Sequence, residues 1–323
     1  MIITLTANPS LDRTVDLGAP LTPGGVHRIR TDRTQPGGKG INVALGVQRA
    51  GLEVLAILPA GPGDPLLALL EAEGLPHRAS PIAGRVRTNL TVLSADEGGA
   101  GLITTKINEP GAHLSPDESL SLEEVLAEAV GPDDMVMLSG SLAPGLPTDE
   151  YVRLVDLLHE QDVHVGVDTS DAPLGAIADA LPAIAPDFLK PNAEELGQIV
   201  GAPGDELERR AEAGDLSPVR EAALALHDQG VGAVLVTLGG AGGVLATDGG
   251  VWYSPSATVE VVSTVGAGDS ASAGYLIGLA LGEEPGDRLA RALAYGSAAV
   301  TLPGTTIPRP DQVSIAADRV VRL

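Results

Sequence analysis

Ser263-Thr264-Val265-Gly266-Ala267-Gly268-Asp269-Ser270 runs into an apolar helix pattern near 270–281. The glycines let the backbone turn tightly, and the first amides of the helix have no partner within it. Those amides and the positive end of the helix dipole form an anion hole. Asp269 stands beside it. A carboxylate there is poorly placed to bind an anion, but well placed to take the proton from a hydroxyl that attacks one. The alternative is a plain N-cap, a position that Asp favours. Two other motifs fit less well. Gly266 to Ala271 matches G-x-G-x-x-[G/A], but no strand ending in an acid follows about 20 residues on. Residues 268–272 end in Ser, so the G-x-S-x-G nucleophile elbow is absent.

Outward from this turn the chain alternates strand and helix. Ile2–Thr6 reads as a buried strand. A helix follows Gly40 with Ile41, Ala44 and Leu45 on one face. Val54–Leu58 is a strand, and Leu66, Leu69 and Leu70 stripe a helix that stops at Gly74. Arg85–Ser94 and Ala100–Asn108 flank Asp96-Glu97-Gly98-Gly99, a hairpin signal. With the stretch around Val26–Arg30, that hairpin predicts a small projecting sheet, suited to a lid or an oligomer interface. Ser115-Pro116-Asp117-Glu118 is a capping box with Pro at its first helical position. Strands at Met135–Leu138, Val163–Val167, Phe188–Lys190 and Ala233–Leu238 follow, with helices marked by Tyr151, Leu154, Val155 and Leu158, by Leu196, Ile199 and Val200, and by Ser217-Pro218. Residues 202–216 read as a loop, and Val244–Ala246 with Val251–Tyr253 as a meander. The expectation is one α/β domain over residues 1–323. Its doubly wound, mostly parallel sheet is flanked by helices, with lid strands inserted from about 12–34 and 85–109.

Composition narrows the partners. The 323 residues carry a net charge of −23, which disfavours nucleic acid and anionic membranes. One Trp, four Tyr and one Phe offer no base-stacking platform. The absence of Cys excludes disulfides, thiolate zinc sites and a Cys nucleophile. The six histidines show no close ligand spacing; His159 and His164 read as unrelated, so no zinc site is predicted. No apolar run approaches the about 18 residues of a spanning helix, and Met1 leads into no signal-like segment, so a cytoplasmic location is expected. Lysine occurs only as Lys39, Lys106 and Lys190. An anionic ligand would need its cations gathered locally.

Three more glycine- or cap-rich junctions stand where strands meet helices, the ligand-binding edge of open α/β sheets. Gly37-Gly38-Lys39-Gly40-Ile41-Asn42 is no Walker loop, because Gly follows the lysine, but Lys39 and Asn42 are donors beside a pliable turn. Lys190-Pro191-Asn192-Ala193-Glu194-Glu195 has capping-box spacing at Asn192 and Glu195, and the same pair suits phosphates and a magnesium-bound water. Thr237-Leu238-Gly239-Gly240-Ala241-Gly242-Gly243 offers amides and a hydroxyl to phosphates, or is an ordinary turn. Asp12 suits sugar hydroxyls or a turn. Arg85 and Arg87 share one strand face, which suits an anion or a protected sheet edge.

In this order and spacing, the motifs resemble the phosphofructokinase-B branch of the ribokinase-like sugar kinases over nearly the whole chain. The segments are Leu5–Asp12, Gly37–Ala44, Arg87-Thr88-Asn89, Ile107–Gly111, Ser139–Leu142, Lys190–Glu195, Thr237–Gly239 and Ser263–Ser270. The resemblance implies an ATP- and Mg²⁺-dependent kinase of a sugar phosphate. Fructose 1-phosphate is the expected acceptor, with tagatose 6-phosphate and fructose 6-phosphate as alternatives. It implies Asp269 as the base and the amides of Gly266, Ala267 and Gly268 around the transferring phosphoryl group. Asp12, Gly37, Gly38, Lys39 and Asn42 would bind the sugar, and Arg87 and Ser139 its phosphate. Asn192, Thr237, Gly239 and Gly242 would serve ATP, with Glu195 on Mg²⁺ through water. The lid would pair two copies as a homodimer. Thr237 stands where Ser is common, and Asp168-Thr169-Ser170 where two serines are common. A non-catalytic sugar-phosphate sensor is the rival, and it would be expected to have lost Asp269.

Overall fold

The computed structural model describes residues 1–96 and 102–323. The chain runs β1 (Ile2–Thr6), β2 (Ser10–Asp16), β3 (Thr31–Gly37), α1 (Lys39–Arg49), β4 (Val54–Pro59), α2 (Pro65–Ala72), β5 (His77–Ser80), β6 (Arg87–Ala95) and β7 (Leu102–Asn108). It continues through α3 (Pro116–Ala127), β8 (Met135–Ser139), α4 (Glu150–His159), β9 (His164–Asp168), α5 (Asp171–Ala180), β10 (Phe188–Leu189) and α6 (Ala193–Val200). Last come α7 (Gly204–Glu212), α8 (Ser217–Asp228), β11 (Ala233–Thr237), β12 (Gly243–Thr247), β13 (Gly250–Ser254), α9 (Ala267–Ala280), α10 (Pro285–Val300) and β14 (Val321–Arg322).

Among the described residues the main sheet has the order β14-β13-β12-β11-β10-β9-β8-β1-β4-β5. It is parallel from β5 to β11 and antiparallel beyond. Parallel strands need helical crossovers, so both sheet faces are covered and both are apolar. Ile3 and Leu5 join the core under α3 to α8, while Ile2 joins the one under α1, α2, α9 and α10. The parallel strands all end at one edge. Thr6, Ser139, Asp168 and Thr237 close β1, β8, β9 and β11 there, and Lys190 follows β10. The ligand crevice of a doubly wound sheet lies along that edge.

A second sheet, β3-β2-β6-β7, stands apart from the first. Val26–Arg30 contributes no strand to it; Thr31–Gly37 does, antiparallel to Ser10–Asp16. Gly18, Pro20, Pro23, Gly24 and Gly25 break the chain before it. Of the expected hairpin turn, Glu97, Gly98 and Gly99 lie outside the described residues. The charged stretch 202–216 holds a helix, α7, which buries Leu207 and Ala211. The capping box at Ser115 and Glu118 forms with both of its hydrogen bonds. His159 and His164 do share a partner: Asp187, at 3.0 and 3.8 Å. No group of three or more metal-ligating side chains occurs among the described residues. None of their helices is long and apolar enough to cross a membrane.

Candidate active site

The strand-end edge and the second sheet enclose a cavity of about 940 Å³. Asp12, Gly38, Lys39, Asn42, Arg87, Asn192, Glu195, Thr237, Gly239, Gly242, Gly266, Ala267, Gly268 and Asp269 line it. Segments far apart in sequence are thus brought together.

At the centre is the start of α9. Gly266 is its N-cap at φ 80°, a left-handed conformation that glycine adopts without strain. Asp269 sits in the first helical turn and makes no cap hydrogen bond, so capping does not account for it. Its carboxylate instead accepts from Asn42 Nδ2 at 2.7 Å, across 227 residues of sequence. Burial pushes this carboxyl up to about 6; Lys39 opposes the shift and Asp168 adds to it. A buried carboxylate with a raised proton affinity, next to open helix amides, has the properties of a general base.

Lys39 opens α1, and its ammonium reaches Asp168 at 2.7 Å and Glu195 at 3.9 Å. Burial alone would lower the Lys39 pKa; the carboxylates of Asp168, Asp269 and Glu195 outweigh it and keep the ammonium charged. Asp168 is fully buried. Burial alone would raise it, but Lys190 and Lys39 outweigh that and hold its carboxyl at about 2. Ser272 Oγ donates to the same carboxylate at 3.0 Å. Sequence reasoning gave no role to Asp168 or Lys190. The scarcity of lysine was the one signal that pointed to Lys190, and none pointed to Asp168.

The second sheet brings the polar groups at the other end of the cavity. Asp12 and Asn89 are directly opposed on β2 and β6. Asp12 Oδ1 accepts from Ser10 Oγ at 2.7 Å and from Asn89 Nδ2 at 3.1 Å, leaving Oδ2 for a ligand. Gly37 does not line the cavity; a Cβ there would lie 2.4 Å from the Asp12 carboxyl carbon, so it makes room for that side chain. Arg87 is under-paired. Its long contacts go to Glu109 O at 3.4 Å and Ser141 Oγ at 3.5 Å, and its buried Nε has no partner. Burial lowers its pKa, with Asp12 opposing. A half-buried guanidinium with a donor left over suits an incoming anion. Ser139 does not share that role. It is wholly buried, outside the cavity, and Ser141 takes the Arg87 contact. Gly140, at φ 90°, turns the chain between the two serines.

On the remaining side, Asn192 and Glu195 form a complete capping box on α6, with both bonds at 2.8 Å. Capping and cavity lining coexist here. Glu195 Oε2 caps, and Oε1 is the oxygen near Lys39. One hard carboxylate oxygen beside a phosphate-sized space fits Mg²⁺, which keeps several waters and enters with phosphates.

Helix-start amides, a buried carboxylate and the cations Lys39, Lys190 and Arg87 line one cavity, an arrangement that suits an α/β phosphotransferase on a ribokinase-like fold. Residues 5–312 match the pfkB family of carbohydrate kinases, and the chain belongs to that family. It is 34% identical to a 1-phosphofructokinase of Xanthomonas campestris pv. campestris over 279 residues, covering 86% of this chain and 83% of the relative. It is 31% identical to a 1-phosphofructokinase of Rhodobacter capsulatus, covering 99% and 96% of the two chains. The crystal structure of phosphofructokinase-2 from Escherichia coli, in complex with substrates and products, superposes with a TM-score of 0.84. Its identity is 29%, over 96% of each chain.

Proposed function

We propose that this chain transfers the terminal phosphoryl group of ATP to fructose 1-phosphate, giving fructose 1,6-bisphosphate and ADP. The observation that carries the reading is Asp269, buried and held by Asn42 beside the open amides of Gly266 to Gly268. Asp269 takes the proton of the sugar's free primary hydroxyl. As that O–H bond breaks, its electron pair forms the new O–P bond, and the old bond to phosphorus leaves with ADP. The amides of Gly266, Ala267 and Gly268 hold the phosphoryl oxygens in passage, where charge stabilisation matters more than covalent chemistry. Asp12, Asn42, Gly38 and Lys39 orient the sugar, with Gly37 giving Asp12 room. Arg87 with Ser141 receives its phosphate. Asn192, Thr237, Gly239 and Gly242 hold ATP. Mg²⁺, held through water by Glu195, would supply charge neutralisation between the phosphates. The second sheet serves as lid, and through it two copies pair as a homodimer. A cytoplasmic location, where ATP is abundant, fits this reading.

A structure of the same Escherichia coli phosphofructokinase-2 in complex with fructose-6-phosphate favours a second reading, in which the acceptor is a 6-phosphate. An ADP-release assay on fructose 1-phosphate, fructose 6-phosphate and tagatose 6-phosphate separates them. The expected result is the highest kcat/KM with fructose 1-phosphate. Preference for a 6-phosphate overturns that choice of acceptor, and no turnover on any of the three supports a sensor.

A further inference from the structure

Asn8 is only 5% exposed and stands where the chain leaves the main sheet for the second one, between β1 and β2. Its amide has two N–H donors, and they go to carbonyls in two different segments. Nδ2 donates to Pro110 O at 3.0 Å and to Leu142 O at 3.2 Å, with Ser141 Oγ a longer contact at 3.5 Å. Pro110 lies just past β7, where the chain returns from the second sheet, and Leu142 lies just past β8 of the main one. One side chain thus ties the outward crossing to the return crossing and to a loop of the body. Gly111, at φ 107°, leaves it room, since a Cβ there would collide with Asn8 Oδ1.

The residues that Asn8 grips are the neighbours of those that hold Arg87. Arg87 contacts Glu109 O at 3.4 Å, one residue before Pro110, and Ser141 Oγ at 3.5 Å, one residue before Leu142. Asn8 and Arg87 also border the same void of about 10 Å³. Both Arg87 contacts are long, so the guanidinium is steered by where its neighbours stand rather than locked by strong bonds. Satisfying sealed carbonyls does not account for Asn8, because Pro110 is exposed and Leu142 half-buried, so water reaches both segments.

We propose that Asn8 is a positioning residue for the sugar-phosphate subsite: by fixing Pro110 and Leu142 it sets the gap between Glu109 O and Ser141, in which Arg87 meets the acceptor's phosphate. This inference rests on the reading of Arg87 as the group that receives that phosphate. A guanidinium grips a phosphate through paired N–H groups in one plane, so a small tilt weakens the grip. Asn8 does not line the cavity and touches neither substrate. Its loss lets the return crossing drift from the 140–142 loop and turns the Arg87 fork. Asp269 and the α9 amides sit outside this clamp and keep their places.

The test uses the full chain. The wild type is assayed first on the three sugar phosphates, and the variants on the one it prefers. Arg87→Ala should raise KM for the sugar phosphate about 30-fold, as expected for a lost hydrogen bond to a charged group. Asn8→Ala should raise it about tenfold, with kcat and the KM for ATP each within about threefold of wild type. In the Arg87→Ala background, Asn8→Ala should add less than about twofold, because two residues that act through one contact are not additive. A merely structural asparagine would disturb both substrates and would act the same with or without Arg87. If thermal unfolding shows Asn8→Ala to be unfolded, Asn8→Ser, too short to reach both segments, is read by the same KM split and the same double variant. An unchanged sugar-phosphate KM, a loss shared with kcat or with the KM for ATP, or a full effect in the Arg87→Ala background overturns the inference while Arg87 keeps its role. An unchanged KM in Arg87→Ala overturns the phosphate subsite and this inference together, as does a wild type that turns over none of the three.

Discussion

Burial is the largest influence on the Asp269 proton, raising its carboxyl to about 6. Only the deprotonated form can act as base, so kcat/KM should climb about tenfold per pH unit up to about 6 and level above it. Asp269→Asn should lose about 10³-fold in kcat, erase that acid limb and still bind ATP by calorimetry. Wild-type turnover in this variant would leave the base without a role. The stability linkage of the same group has the opposite sign to that of its neighbour. Asp269 binds its proton more tightly folded than at its ordinary 3.8, so it favours folding most below about pH 4, and this is lost as pH rises through about 6. Asp168, held at about 2, favours folding above its ordinary 3.8 and loses this as pH falls towards 2. Of these two acids, Asp269 was legible in sequence because a helix-start turn surrounds it. Asp168 was not, because its partner Lys39 is 129 residues away and only the fold joins them. Ser139 was expected at the phosphate, but the structure buries it outside the cavity, and the turn at Gly140 that separates it from Ser141 was not legible.

Two helices, α1 and α9, deliver Lys39, Asn42 and Asp269, and their close approach is what keeps Asn42 on Asp269. A Cβ at Gly46 of α1 would lie 2.6 Å from Ala273 Cβ of α9. Gly46→Ala should therefore destabilise by about 1–3 kcal/mol through overpacking. It should also lower kcat by spreading the pair of helices. Adding Ala273→Gly removes the clashing methyl and should return both the melting temperature and kcat towards wild type. If Gly46→Ala alone melts and turns over like wild type, the approach is looser than this packing. The parallel strands and long helices were readable because their apolar residues repeat with the right period. What escaped had a thin apolar face or a purely long-range cause. In α7 Leu207 and Ala211 are buried among Glu, Arg and Asp. In α5, Asp-Ala-Pro-Leu-Gly-Ala buries Leu174 and Ile177 behind a proline and a glycine that signal a turn. Ser10–Asp16 and Thr31–Gly37 are polar strands whose pairing is set by each other and by β6, not by alternation within either.

The second sheet has two faces with different chemistry. Arg87, Asn89 and Asp12 share the face towards the cavity. By alternation, Leu90, Ile103 and Ile107 share the other, and Ile103 and Ile107 are exposed. An exposed apolar sheet face marks an interaction surface, and packing it on its own copy gives a two-fold, self-complementary contact. The net charge of −23 opposes that pairing, so added salt should tighten it by screening the repulsion. Ile107→Glu places a charge in the middle of the proposed interface and leaves the cavity face untouched. Light scattering after gel filtration should find the wild type as a dimer and this variant as a monomer. Because the sheet carries Asp12, Asn89 and Arg87, losing its partner should loosen their hold on the acceptor. KM for the sugar phosphate should then rise severalfold, with kcat less affected, since Asp269 and the α9 amides belong to the main body. A variant that remains dimeric with an unchanged KM would move the interface off this sheet, and a monomer with an unchanged KM would show that the lid holds its shape unaided.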